Sequence, residues 1–72
     1  MEAYILVKTM GGKARDVLNA IRMMDGIESA NGTYGSYDLI VKINSEDVAG
    51  VVIDKIRTLD GVMDTNTLII AL

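Results

Sequence analysis

Hydrophobic and polar positions alternate along the chain with two different periods, which predicts strands and helices in succession. Residues 2–8 and 38–43 are short, β-branched and apolar, as expected of strands with both faces at least partly covered. Between residues 13 and 24 the apolar side chains recur every three or four positions, which predicts an amphipathic helix. The same spacing predicts a second helix, whose apolar stripe consists of Ala49, Val52, Ile53, Ile56 and Leu59.

Polar residues and glycines mark where these elements begin and end. Both predicted helices are followed by an Asp-Gly pair, at 25–26 and 60–61, and glycine readily adopts the left-handed conformation that closes a helix. Asn44 or Ser45 is expected to cap the second helix, with acidic residues 46 and 47 in its positive first turn. Gly50 then lies inside that helix, at a cost of about 1 kcal/mol relative to alanine.

The remaining segments complete a β-α-β-β-α-β order. Residues 27–34 form a weaker strand that is polar enough for a sheet edge, residues 34–37 form a hairpin turn, and residues 67–72 form the last strand. The two halves of the chain also repeat, with IRMMDGI at 21–27 and IRTLDGV at 56–62. Two such units predict one ferredoxin-like α+β domain over residues 1–72, with a four-stranded antiparallel sheet and both helices on one face.

The other face of this sheet has no cover within the chain. Yet Tyr4 and Leu6 alternate with apolar neighbours in the first strand, so both faces are apolar there. We therefore expect a homodimer that pairs through the uncovered faces. Burial of roughly 500 Å² of apolar surface per chain would contribute roughly 12 kcal/mol before association costs.

Composition narrows the possible functions. The 72 residues include no cysteine and no histidine, which argues against disulfides, thiolate metal sites and histidine-dependent catalysis. A net charge of -3 without a basic run argues against direct nucleic-acid binding. No apolar stretch approaches the ~20 residues that cross a bilayer, and the first residues do not read as a signal peptide. We expect a cytoplasmic protein without a metal or cofactor.

Three segments together carry a family resemblance. GSYDLIVKI at 35–43, LDGV at 59–62 and TNTLII at 65–70 resemble the effector-binding (RAM) domain of Lrp/AsnC transcription regulators. The resemblance covers nearly the whole chain and implies sheet-to-sheet dimers, rings of dimers, and a free amino acid or related small molecule bound between dimers. The chain begins directly with the first strand, so it resembles a stand-alone form without the helix-turn-helix. A transcriptional role would then need a partner, such as a full-length Lrp/AsnC regulator.

The candidate ligand-binding residues lie in two polar segments. A zwitterion needs an acceptor for its ammonium group, which Asp38 could supply, and donors for its carboxylate. Main-chain N–H groups and hydroxyls are suitable donors. We expect the third strand to begin where the fourth finishes, so that one ligand reaches both segments only across an assembly contact. The predicted site comprises Gly35, Ser36, Tyr37, Asp38, Thr65 and Thr67.

Other functions remain open at this level. Asp38 is equally compatible with a structural role in which it accepts hydrogen bonds from neighbouring amides, and strand threonines commonly pair across a sheet. A dimeric α+β barrel enzyme would use Tyr4, Asp38 or Tyr34 as acid or base, with a strongly perturbed pKa. An adaptor would bind another protein along the edge strand at 27–34.

Overall fold

The computed structural model describes all 72 residues and has the predicted element order. The strands are β1 (Glu2–Thr9), β2 (Ile27–Gly32), β3 (Leu39–Asn44) and β4 (Val62–Ile69). The helices are α1 (Ala14–Arg22) and α2 (Val48–Val51), and α2 continues into a π-helical segment, Val52–Ile56. The prediction of an α+β domain with the order β-α-β-β-α-β is confirmed.

The sheet has the strand order β2-β3-β1-β4, and every neighbouring pair is antiparallel. In β1 the alternate residues Ala3, Ile5 and Val7 are completely buried, because they point toward the helices. They share one core with α1, α2 and the π-helical segment. Both helices therefore pack on one face of the sheet, as the sequence predicts.

The opposite face of the sheet is uncovered within the chain. We call it the open face, and it carries Tyr4, Leu6, Ile40 and Leu68 in adjacent register positions. Leu68 is 50% exposed. Lys42 crosses this face with its ammonium group 3.8 Å from Glu2 and 3.7 Å from Glu28. The open face thus has an apolar centre beside a cluster of one lysine and two carboxylates.

The last strand starts earlier than predicted. β4 begins at Val62 and not at residue 67. The chain enters the sheet directly from the turn at Gly61, because the Gly61 carbonyl accepts a hydrogen bond from the Met10 N–H at 2.8 Å. Polar residues 64–67 look like a loop in sequence but pair with β1 along its free edge. Thr65 and Thr67 consequently lie within the strand.

The second helix also differs from the prediction. Its N-cap is Asp47, whose carboxylate accepts a hydrogen bond from the Gly50 N–H at 3.0 Å, and neither Asn44 nor Ser45 caps it. A Cβ atom at residue 50 would collide with that carboxylate, which would have to move away from its capping position. The buried residues of the second helix and its π-helical continuation are Val48, Val52 and Ile56, spaced four apart. Ala49 and Ile53, predicted in the core stripe, are exposed.

The two edges of the sheet are not equivalent. β2 is an edge strand, as predicted, but Arg22 donates two hydrogen bonds to the Ala30 carbonyl, at 2.9 and 2.7 Å. This guanidinium occupies an acceptor that an added strand would need, which weighs against the adaptor function. Neither helix has the length and apolar character that a membrane-spanning helix requires.

Candidate ligand-binding site

Asp38 lies immediately before β3, at the end of the sheet where β1 finishes. Its Oδ2 atom accepts two hydrogen bonds from Thr9, one from the backbone N–H at 2.7 Å and one from the hydroxyl at 3.0 Å. The structural role that the sequence left open for Asp38 is therefore present. Because both bonds converge on Oδ2, the second oxygen, Oδ1, is left to accept a bond from a ligand.

The Thr9 contacts set the ionisation of Asp38. The backbone N–H of Thr9 lowers the pKa of the Asp38 carboxyl below 3.8, the Thr9 hydroxyl and the charge of Lys8 lower it further, and desolvation opposes them. Asp38 is therefore a carboxylate at neutral pH, which suits an ammonium partner. General acid–base catalysis near neutrality needs a raised carboxyl pKa, so the direction of this shift disfavours the enzyme alternative.

The lowered pKa predicts an acid-sensitive contribution to stability. In the unfolded chain the carboxyl titrates at its ordinary pKa, so Asp38 stabilises the fold fully above about pH 4 and loses this effect as pH falls through the folded-state pKa. We expect the free energy of unfolding of Asp38→Asn to decrease less than that of the wild type as the pH falls below about 4. Urea unfolding midpoints at a series of acidic pH values would measure this, and parallel curves for both proteins would contradict it.

Asp38 opens onto a cavity of about 520 Å³ between α1 and the β2–β3 hairpin, which we call the Asp38 cavity. Arg15 and Leu18 of α1 line one side, and Thr33 and Tyr34 of the hairpin line the other. The predicted residues Gly35, Ser36 and Tyr37 belong to the same hairpin loop, but they do not line this cavity.

Two hydrogen bonds from Thr33 close the hairpin loop across its base. The Thr33 N–H donates to the Asp38 carbonyl and the Thr33 hydroxyl donates to the Tyr37 carbonyl, both at 2.8 Å. Gly35 has a φ of 139°, which favours glycine at this turn. Gly35 and Ser36 are exposed, so the loop presents backbone groups to solvent beside Asp38.

Thr65 and Thr67 line a second cavity, of about 370 Å³, between β4 and the second helix. Arg57, which follows the π-helical segment, lines the same cavity, and we call it the Arg57 cavity. Arg57 is not among the site residues that the sequence predicts. Strand alternation would have placed Thr65, Thr67 and Ile69 on one face, had the start of β4 been recognised.

The predicted placement of the two polar segments at opposite ends of the sheet is wrong. Leu39 and Thr65 both pair with Val7, so β3 and β4 begin at the same end. β1 lies between them, which separates the two strands by about 10 Å. The two cavities are nevertheless distinct, since one faces α1 near β2 and the other faces α2 and the π-helical segment near β4. They occupy opposite lateral sides of the helix layer.

The three acid or base candidates of the enzyme alternative, Tyr4, Tyr34 and Asp38, are not all brought together. Tyr4 is on the open face, while Tyr34 lines the Asp38 cavity with a fully exposed side chain. No group of three or more acidic side chains is placed to hold a metal ion.

Comparison with known proteins identifies related molecules. The Lrp/AsnC ligand binding domain model matches residues 2–71. The HTH-type transcriptional regulator FL11 of Pyrococcus horikoshii is 37% identical over 73 residues, and the match covers 97% of this chain and 48% of the regulator. The chain thus spans about half the length of the curated relatives it matches. These relatives are HTH-type transcriptional regulators.

Solved structures agree with these matches. The crystal structure of FFRP-DM1 has a TM-score of 0.92 at 34% identity, with 97% of each chain covered. The Neisseria meningitidis transcriptional regulator NMB0573 in complex with L-Met has a TM-score of 0.86, and the match covers 99% of this chain and 49% of that one. At 20% identity the second likeness establishes the fold alone. The predicted fold and family resemblance are confirmed.

Proposed function

Because the chain belongs to the Lrp/AsnC ligand-binding domain family, we propose that it binds a free amino acid between dimers of a ring-shaped homo-oligomer. The assembly acts in the cytoplasm and modulates full-length regulators of the same family. The regulator NMB0573, part of whose chain has the same fold, was solved in complex with L-Met, and this supports an amino acid as the ligand.

The observation that carries this proposal is the division of the site into two half-sites. The Asp38 cavity offers a carboxylate for an ammonium group, and the Arg57 cavity offers the hydroxyls of Thr65 and Thr67 for a carboxylate. One small molecule does not reach both within a protomer, because the cavities lie on opposite sides of the helix layer. It reaches both where the Asp38 cavity of one protomer meets the Arg57 cavity of the next.

This contact has a geometric consequence. Joining two different surfaces is a head-to-tail arrangement, which closes into a ring when the rotation per subunit allows it. The open face is left for the sheet-to-sheet dimer, so the two contacts use different surfaces. A ligand that occupies both half-sites stabilises the assembled state, and binding and assembly become one coupled equilibrium.

Native mass spectrometry with each of the twenty amino acids tests the proposal. We expect at least one amino acid to add its mass at one ligand per contact and to shift the distribution from dimers to larger rings. A ligand of this size is expected to bind with a dissociation constant of roughly 0.1 to 10 mM. A protein that stays monomeric with every amino acid would contradict the proposal.

The variant Asp38→Asn tests the ammonium assignment. Asparagine can still accept the Thr9 hydrogen bonds through its amide oxygen but lacks the charge, so we expect affinity for the amino acid to fall roughly tenfold or more. Calorimetric titration would measure this. Asp16→Asn, an exposed aspartate in the first turn of α1, is the matched control and should bind normally. Unchanged affinity in Asp38→Asn would remove Asp38 from the site.

A further inference from the structure

We infer that the Arg57 cavity binds small apolar monocarboxylates, such as an α-keto acid or a short branched fatty acid, within a single protomer. Such a ligand lacks the ammonium group that Asp38 would accept, so it occupies the carboxylate half-site without bridging to a neighbour. The expected competition between such a ligand and an amino acid rests on the proposed function. The binding of the monocarboxylate to the Arg57 cavity does not.

The charge balance of the cavity favours an anion. Arg57 is the only charged side chain that lines it, and none of the three ion pairs of the chain involves Arg57. Arg57 also takes part in no side-chain hydrogen bond, so its five N–H donors are available in the planar fork that matches a carboxylate. The hydroxyls of Thr65 and Thr67 add two further donors on the facing strand.

The rest of the lining is apolar. Val52 and Ile53 from the π-helical segment and Ile69 from β4 face the cavity, and Ile53 and Ile69 are 59% and 49% exposed. Contact with the hydrocarbon part of a ligand would remove these exposed apolar side chains from water, which favours binding. A volume of about 370 Å³ lies within the usual range for small-ligand sites. A carboxylate attached to a short branched hydrocarbon therefore fits both parts of the lining.

The absence of a carboxylate from this lining distinguishes the two ligand classes. An amino acid held here by its carboxylate needs the Asp38 carboxylate of a neighbouring protomer for its ammonium group. A monocarboxylate has no such requirement. It blocks the half-site, so it is expected to oppose ring formation that an amino acid promotes.

Three probes with a shared hydrocarbon body test the inference: isocaproate, which carries only a carboxylate, isoamylamine, which carries only an amine, and L-leucine, which carries both. NMR titration of the amide chemical shifts locates each probe and gives its dissociation constant. We expect isocaproate to shift the amides of Arg57, Thr65 and Thr67 while those of Asp38 stay unchanged, and isoamylamine to leave the Arg57 cavity unperturbed.

The variant Arg57→Gln should weaken isocaproate binding at least tenfold, because a charge-assisted bidentate contact is lost. Lys55→Gln, two residues earlier and outside the cavity lining, is the matched control and should change it less than twofold. Thermal unfolding of both variants verifies that they fold. Equal binding of isocaproate to Arg57→Gln and wild type, or equal binding of isoamylamine and isocaproate to wild type, would overturn the inference.

Sedimentation of the wild-type protein separates this inference from the proposed function. We expect isocaproate to bind without increasing the assembly and to reverse the assembly that an amino acid induces. If isocaproate binds while no amino acid binds or alters assembly, the inference stands and the proposed function fails. If an amino acid drives assembly and isocaproate does not bind, the proposed function stands and the inference fails.

Discussion

Replacing Gly61 with alanine is expected to lower the free energy of unfolding by roughly 2 to 5 kcal/mol. Gly61 is buried and has a φ of +96°, which costs an alanine about 1 to 2 kcal/mol. Its Cβ atom would lie 2.7 Å from the Cβ of Lys13 and 3.2 Å from Cγ2 of Val17, so it would also push α1 away from the turn into β4. Such overpacking costs a further ~1 to 3 kcal/mol.

Alanine substitutions at two other glycines separate the free-energy cost of backbone strain from the cost of the steric collision. Gly12 has a φ of +78° with open space around its Cβ position, so Gly12→Ala should show the backbone cost alone. Gly11 has neither feature, and Gly11→Ala should be close to neutral. Urea unfolding at one fixed protein concentration would rank the three variants, since coupling to assembly makes stability concentration-dependent. A Gly61→Ala protein no less stable than Gly12→Ala would refute the packing argument.

The fold could be predicted because its signals are local or repeated. The apolar period of α1, the Asp-Gly pair after each helix and the repeat of IRMMDGI as IRTLDGV all report on segments of a few residues. The uncovered second face was also predictable, since Tyr4 and Leu6 alternate with the buried Ile5 in a single strand.

The features that sequence reasoning missed depend on partners far along the chain. Residues 64–67 become a strand only because β1 offers a free edge, and no local pattern reveals that edge. The cap lies at Asp47 because of how the chain leaves β3. The second helix packs on the sheet through Val48, Val52 and Ile56, so Ile53 is exposed despite its place in the apolar stripe. Tertiary contacts thus override local propensity at both places.

The candidate site was predictable only in part, for the same reason. Asp38 was selected from its own segment, but the partner that fixes its charge, Thr9, lies 29 residues earlier and becomes adjacent only in the sheet. Arg57 meets Thr65 and Thr67 only when the second helix packs over β4. The division of the site into two cavities could not be derived from the polar residues alone.

The second large effect is expected at the open face, where Leu6→Lys should weaken the proposed dimer by at least a hundredfold. Leu6 lies at the centre of that face, paired with Ile40 on one side and Asn66 on the other. A lysine there would place an unpaired ammonium group between two sheets, and burying such a charge without a partner commonly costs about 3 to 5 kcal/mol. Sedimentation over a range of protein concentrations would measure the change in the dimer dissociation constant.

Two variants control for this result. Leu6→Met preserves apolar volume and should keep the dimer, while Met23→Lys introduces the same charge at an 85% exposed residue at the end of α1, outside the sheet. If the apolar open face supplies much of the stability of so small a domain, Leu6→Lys should also unfold at lower temperature than Met23→Lys. A stable monomeric wild type, unaffected by Leu6→Lys, would mean that the open face is a solvated surface. Ligand binding would then have to be explained without the dimer.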